Sequence, residues 1–129
     1  MTVLLYTALL GFLYFYMSLT VIKSRRSNKV ALGSGENNEI IHLVSAHNNF
    51  ASYVPLFLIL LYLLETQGTY QVLIHLLGLA FLAGRVFHFL SMKDKEQNFK
   101  HRVTGMKLTL WPLIISSSIG LFLYFKNLL

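Results

Sequence analysis

From Thr2 to Ile22 the chain runs for 21 residues without a charge, rich in Leu, Tyr and Phe. A helix of about 20 apolar residues crosses the roughly 30 Å hydrocarbon layer of a bilayer. Lipid leaves the backbone few other options, because every N–H and C=O must find its partner inside the helix or in a closed barrel. Three more stretches of comparable character follow, Glu39 to Leu64, Tyr70 to Leu90 and Thr104 to Phe125. The expected fold is therefore all-α, an integral membrane four-helix bundle forming one domain over residues 1–129, with helices near 2–22, 39–64, 70–90 and 104–125. Composition agrees: 55% of the 129 residues are hydrophobic, 12% are charged and the mean hydropathy is +0.59. That leaves too little polar surface to coat a soluble domain of this size.

The connections can be read as well. The cluster Lys23, Arg25, Arg26 and Lys29 follows the first apolar run, the reverse of a signal peptide's order, so a retained first helix is expected. Val30 to Asn38 holds Gly33, Ser34, Gly35, Asn37 and Asn38 and reads as a turn-rich loop. Glu65 to Thr69 is a short turn containing Gly68, which makes the second and third helices antiparallel neighbours. Ser91 to Val103 reads as a charged loop. The first and third loops carry Lys23, Arg25, Arg26, Lys29, Lys93, Lys95, Lys100 and Arg102, with Lys107 just inside the fourth helix, whereas the other side has only Lys126 besides the amino terminus. The positive-inside rule then places both basic loops in the cytoplasm and both termini opposite.

The second span contains an anomaly. His42, Ser45, His47, Asn48, Asn49, Ser52 and Tyr53 lie among apolar neighbours, seven hydrogen-bonding side chains within twelve residues. At about 100° per residue, six of them share an arc of roughly 140° and His47 points nearly the other way. Lipid cannot satisfy these groups, so they should face other helices, other subunits or a polar ligand. Interhelical hydrogen bonding alone is one reading, since Ser, Asn and His often bridge membrane helices. The third span adds Arg85 and His88 at i and i+3, a cationic face directed toward the second helix unless Arg85 snorkels to the interface. Pro55 should kink the second helix near its polar half. Polar and cationic groups from all four helices converge toward the basic side, which suits an anionic, water-soluble ligand beside an apolar one dissolved in lipid.

Other classes fit less well. Cysteine is absent, so any sulfur chemistry must arrive with a substrate. His42, His47, His75 and His88 lack the i, i+4 spacing of a helical metal site, and no metal is expected. Positive charge along a membrane boundary is what topology already requires, so no nucleic-acid partner is expected. A small multidrug transporter would need a carboxylate within a span for proton coupling, and Glu65 at a helix end is the nearest candidate.

Four stretches carry a resemblance: Val-Ala-Leu-Gly-Ser-Gly from Val30, Ser-Ala-His-Asn-Asn-Phe-Ala-Ser-Tyr-Val-Pro-Leu from Ser45, Ala-Gly-Arg-Val-Phe-His from Ala83 and Arg-Val-Thr-Gly-Met from Arg102. In order and placement they resemble the MAPEG family, the membrane-associated proteins of eicosanoid and glutathione metabolism, most closely its short bacterial branch related to microsomal glutathione transferases. The resemblance implies a homotrimer that holds glutathione as co-substrate between subunits near the cytosolic face and joins its thiolate to lipophilic electrophiles, or reduces lipid hydroperoxides. It implies ligand contacts at Arg25, His47, Asn49, Tyr53, Arg85 and His88. Arg102 is the residue it implies for thiolate stabilisation, with Arg26 second. Partners would be the chain itself, lipids and lipophilic small molecules. Three positions depart from the glutathione-active pattern: Ser45 stands for arginine, Ser52 for glutamate and Met92 often for tyrosine. The first two remove partners for a ligand carboxylate and amino group, together worth about a hundredfold in affinity. A catalytically inactive membrane protein binding a lipid or another anionic ligand is the alternative.

Overall fold

The computed structural model describes residues 1–94 and 99–128. It contains four helices, α1 (Thr2–Ser27), α2 (Asn38–Thr66), α3 (Gln71–Lys93) and α4 (Phe99–Leu128), each long and apolar enough to cross a membrane. Lys95, one of the basic residues expected in the third loop, lies outside the described residues.

All four helices extend beyond the expected limits, most of all at the basic end. α1 continues through Lys23, Arg25 and Arg26, α3 continues to Lys93, and α4 already includes Lys100 and Arg102. The cause is physical: charge ends an apolar span, but Lys and Arg are good helix formers whose long stems lie along an apolar surface while their heads reach water. The ends of α1 and α2 at their shared loop are defined by hydrogen bonds. α1 closes with the Asn28 N–H on the Ser24 carbonyl and the Val30 N–H on the Arg25 carbonyl. α2 opens with Asn37 as its cap, the side-chain oxygen accepting the Ile40 N–H at 3.2 Å, and with Glu39 in its first turn.

α3 packs against α4 along a close crossing. A Cβ built on Gly105 would stand 2.6 Å from the His88 backbone nitrogen, and one on Gly84 would stand 2.9 Å from the Gly105 carbonyl oxygen. The glycines in Ala-Gly-Arg and Thr-Gly-Met are therefore the contact surface of two backbones. Glycine to alanine inside a helix normally gains about 1 kcal/mol. Gly105→Ala should instead lose about 1–3 kcal/mol by prising α3 from α4, read as earlier unfolding in an SDS titration from mild detergent.

α1 packs on α2 and α3, and α4 packs chiefly on α3 and also on α2, with no close backbone approach between α1 and α4 among the described residues. The interior is a narrow apolar seam, with Phe57 and Phe81 stacked face to face at 3.8 Å and Leu10, Met17, Leu61, Leu64 and Ile74 around them. Most of the large apolar side chains point outward, including Phe12, Phe15, Trp111 and Phe122. An apolar exterior around a thin core is how a chain looks when lipid covers it. Two polar ties bind the ends of the bundle. At one end the Lys93 ammonium donates to the Tyr16 hydroxyl at 2.9 Å. At the other, the Glu65 carboxylate accepts the Thr2 and Val3 N–H groups, capping α1, whose own N-terminal residue supplies no side-chain cap. Glu65→Ala should cost about 0.5–2 kcal/mol and speed hydrogen exchange in the first turn of α1 before anywhere else.

Candidate functional site

The polar arc of α2 divides. Asn49 and Tyr53, at its inner edge, turn toward α3, whereas Ser45, Asn48 and Ser52 stay on the outer surface of the protomer. There Ser52 donates back to its own helix, to the Asn48 carbonyl at 2.9 Å.

Arg85 occupies the centre of the inner group. Its side chain is only 2% exposed, so the charge is held by the protein. One Nη donates to the Asn49 Oδ1 at 2.6 Å; the other donates to the Thr109 hydroxyl and lies 3.7 Å from the Met106 sulfur. Thr109, fully buried, passes its own proton to the Gly105 carbonyl at 2.8 Å, leaving its lone pairs for the guanidinium. The Arg85 carbon sits 5.6 Å from the centroid of the Tyr53 ring and 5.8 Å from that of Phe81, so two aromatic faces add cation–π attraction. Its Nε has no hydrogen-bond partner among the described residues. The guanidinium thus joins α2, α3 and α4 at one point, and the expectation that Arg85 faces inward rather than snorkelling is met.

His88, one turn further along α3, is 5% exposed and backs onto Gly105. Arg102 is exposed, one turn before Gly105 on α4. Arg102, Gly105, Met106 and Thr109 share a face of α4 at i, i+3, i+4 and i+7, running from the basic mouth of the bundle to the buried guanidinium.

His47 points away from this group, as its helical angle predicts. Its Nε2 lies 3.0 Å from the Ser18 hydroxyl and its ring stacks on Tyr14 at 4.6 Å, so it fastens α2 to α1. Arg25 and Arg26 stand at the end of α1 around a separate recess. Within one protomer, then, Asn49, Tyr53, Arg85, His88 and Arg102 lie along one path between α2, α3 and α4, and the contacts described do not join His47, Arg25 or Arg26 to it. Sequence reasoning missed Thr109, Met106, Tyr14 and Ser18. The i, i+4 spacing of Tyr14 and Ser18 marks a face of α1, but only the packing shows that His47 lies on it.

The chain is similar to the inner membrane protein YecN of Escherichia coli strain K12, 29% identical over 111 residues that cover 86% of this chain and 83% of that one. The YecN of an O6:H1 strain of the same species matches to the same extent. With four spanning helices and such a relative, this is an integral, multi-pass membrane protein. The sequence profile of the MAPEG family matches residues 3–122, nearly the whole length, and the chain belongs to the MAPEG family.

Proposed function

We propose that the protein is a homotrimeric, membrane-bound thiol transferase or peroxidase of the glutathione-using kind, with its basic loops in the cytoplasm. The observation that carries this reading is the divided polar arc of α2. Ser45, Asn48 and Ser52 are exposed on a membrane helix, where an amide left to lipid costs several kcal/mol. A second copy of the chain and a polar ligand held between copies would satisfy them, and would also bring Arg25, Arg26 and His47 of one subunit beside the Arg85 to Arg102 path of another. MAPEG membership supports this reading, since the family includes glutathione transferases. In it Arg25, His47, Asn49, Tyr53, Arg85 and His88 hold glutathione, and Arg102, with Arg26 second, stabilises its thiolate.

The chemistry needs little else. A free thiol with pKa near 8.5 is only a few per cent ionised at about pH 7, and the thiolate is the nucleophile. Each unit of depression needs about 1.4 kcal/mol of preferential anion stabilisation. One guanidinium beside the sulfur, in surroundings less polar than water, is of the right size to supply a unit or two. A lipophilic electrophile arriving through lipid then reacts mainly because it is held beside the thiolate.

One observation favours the second reading, an inactive binder of a lipid or other anion: Arg85 already has protein partners on both Nη groups. Purified protein with glutathione, a des-thiol analogue and a simple dicarboxylate separates the readings. Glutathione should raise the melting temperature and support turnover of a lipophilic electrophile, with the analogue giving the shift but no turnover. A shift with no thiol-dependent turnover establishes the inactive binder; no shift with either tripeptide removes glutathione altogether.

A further inference from the structure

Three cations surround one recess at the C-terminal end of α1. Arg25, Arg26 and Lys29 line a cavity of about 450 Å3 whose other walls are Ile22, Val30 and Ala31. The helix end does not need these charges: its carbonyls accept from the Asn28, Lys29 and Val30 N–H groups and from the Asn28 side chain. Lys29 has φ +56, a left-handed conformation for which glycine is the usual choice. A lysine at such a position is a reason to look for what its side chain does. Glu39, in the first turn of α2, accepts from the Ser24 hydroxyl at 2.9 Å. The Arg25 Nε is buried without a hydrogen-bond partner among the described residues.

Depth identifies the surroundings. The 26 residues of α1 span about 39 Å at 1.5 Å each, more than the roughly 30 Å of hydrocarbon. The last turn therefore emerges into the headgroup layer, with Ile22 on the hydrocarbon side of the cations. We propose that this recess binds the phosphate of an anionic phospholipid, with Arg25, Arg26 and Lys29 around the phosphate and Ile22, Val30 and Ala31 against the glycerol and the first carbons of a chain. This goes beyond the thiol chemistry and does not depend on it. The two proposals share Arg25 and Arg26, and Lys29 belongs to the recess alone.

The test is native mass spectrometry of the detergent-purified full chain titrated with phosphatidylglycerol, phosphatidylcholine or glycerol phosphate. Wild type should bind phosphatidylglycerol in preference to phosphatidylcholine, and glycerol phosphate only weakly. Lys29→Gln should weaken phosphatidylglycerol binding about fivefold and leave phosphatidylcholine unchanged, with Lys29→Asn, whose side chain tolerates the left-handed backbone, as a second variant should the first fold poorly. Equal binding of the two lipids, or undiminished phosphatidylglycerol binding in both variants, overturns the site. Glycerol phosphate binding as tightly as the lipid would make it a free-phosphate site and overturn the lipid assignment. Lys29→Gln should also keep any glutathione-induced thermal shift, so loss of the lipid site and failure of the thiol function are separate results.

Discussion

Alanine at position 85 is expected to destabilise the protomer by about 2–4 kcal/mol, among the largest losses for any single substitution in the chain. The change removes hydrogen bonds from a charged donor to Asn49 and Thr109, two cation–π contacts and most of a buried side chain at the meeting point of three helices. Part of the loss is offset, because the charge no longer has to be kept from water. Methionine should recover some stability by refilling the volume without restoring the bonds. Unfolding in an SDS titration of wild type, Arg85→Ala and Arg85→Met checks this order, and equal stability of all three would show that the network contributes nothing. The same variants test the ligand role. If Arg85 also holds glutathione, Arg85→Met stays folded but loses the ligand-induced shift; a shift retained in full would make Arg85 a purely structural residue.

Why Arg85 has both prospects explains how far the sequence can be read. The four spans were legible because lipid as a solvent permits almost nothing else for such apolar runs, and the inward direction of Arg85 followed from the cost of a charge in hydrocarbon. Its partner Thr109 was not legible. That contact requires α3 and α4 to cross at Gly84 and Gly105, a long-range fact that neither helix carries alone. The polar arc of α2 was legible as a set but not in its division. Its 140° is too wide for one neighbour, so His42, Asn49 and Tyr53, within about 40° of one another, turn inward or lie at the boundary, while Ser45, Asn48 and Ser52 remain outside. The helix ends were misplaced for a different reason: hydropathy marks where lipid stops, and the helix runs on until Asn28 closes its carbonyls. Arg25, Arg26 and His47 were legible as site residues only through the resemblance, because within one protomer His47 packs on α1 and the two arginines line a separate recess.

Arg102→Ala should lower thiol-dependent turnover roughly tenfold or more while changing glutathione affinity little. The expectation rests on where charge develops. Arg85 is buried with protein partners on both Nη groups, so in this reading it serves binding rather than the ionising sulfur. Arg102 is exposed at the mouth of α4, one turn from Gly105, where a sulfur would be accessible from lipid and water alike. An interaction that strengthens only as the thiol ionises raises turnover without tightening ground-state binding. Losing one unit of thiol pKa depression removes most of the thiolate near pH 7, hence the tenfold figure. Lysine at 102 should restore part of the rate, because it supplies charge without the planar fork. The measurement is the pH dependence of ultraviolet thiolate absorbance of bound glutathione in wild type, Arg102→Ala and Arg102→Lys, alongside rates with a reference electrophile. A thiolate pKa that stays depressed in Arg102→Ala excludes this role and transfers it to Arg26, the other permanently charged group proposed to lie within reach of the sulfur.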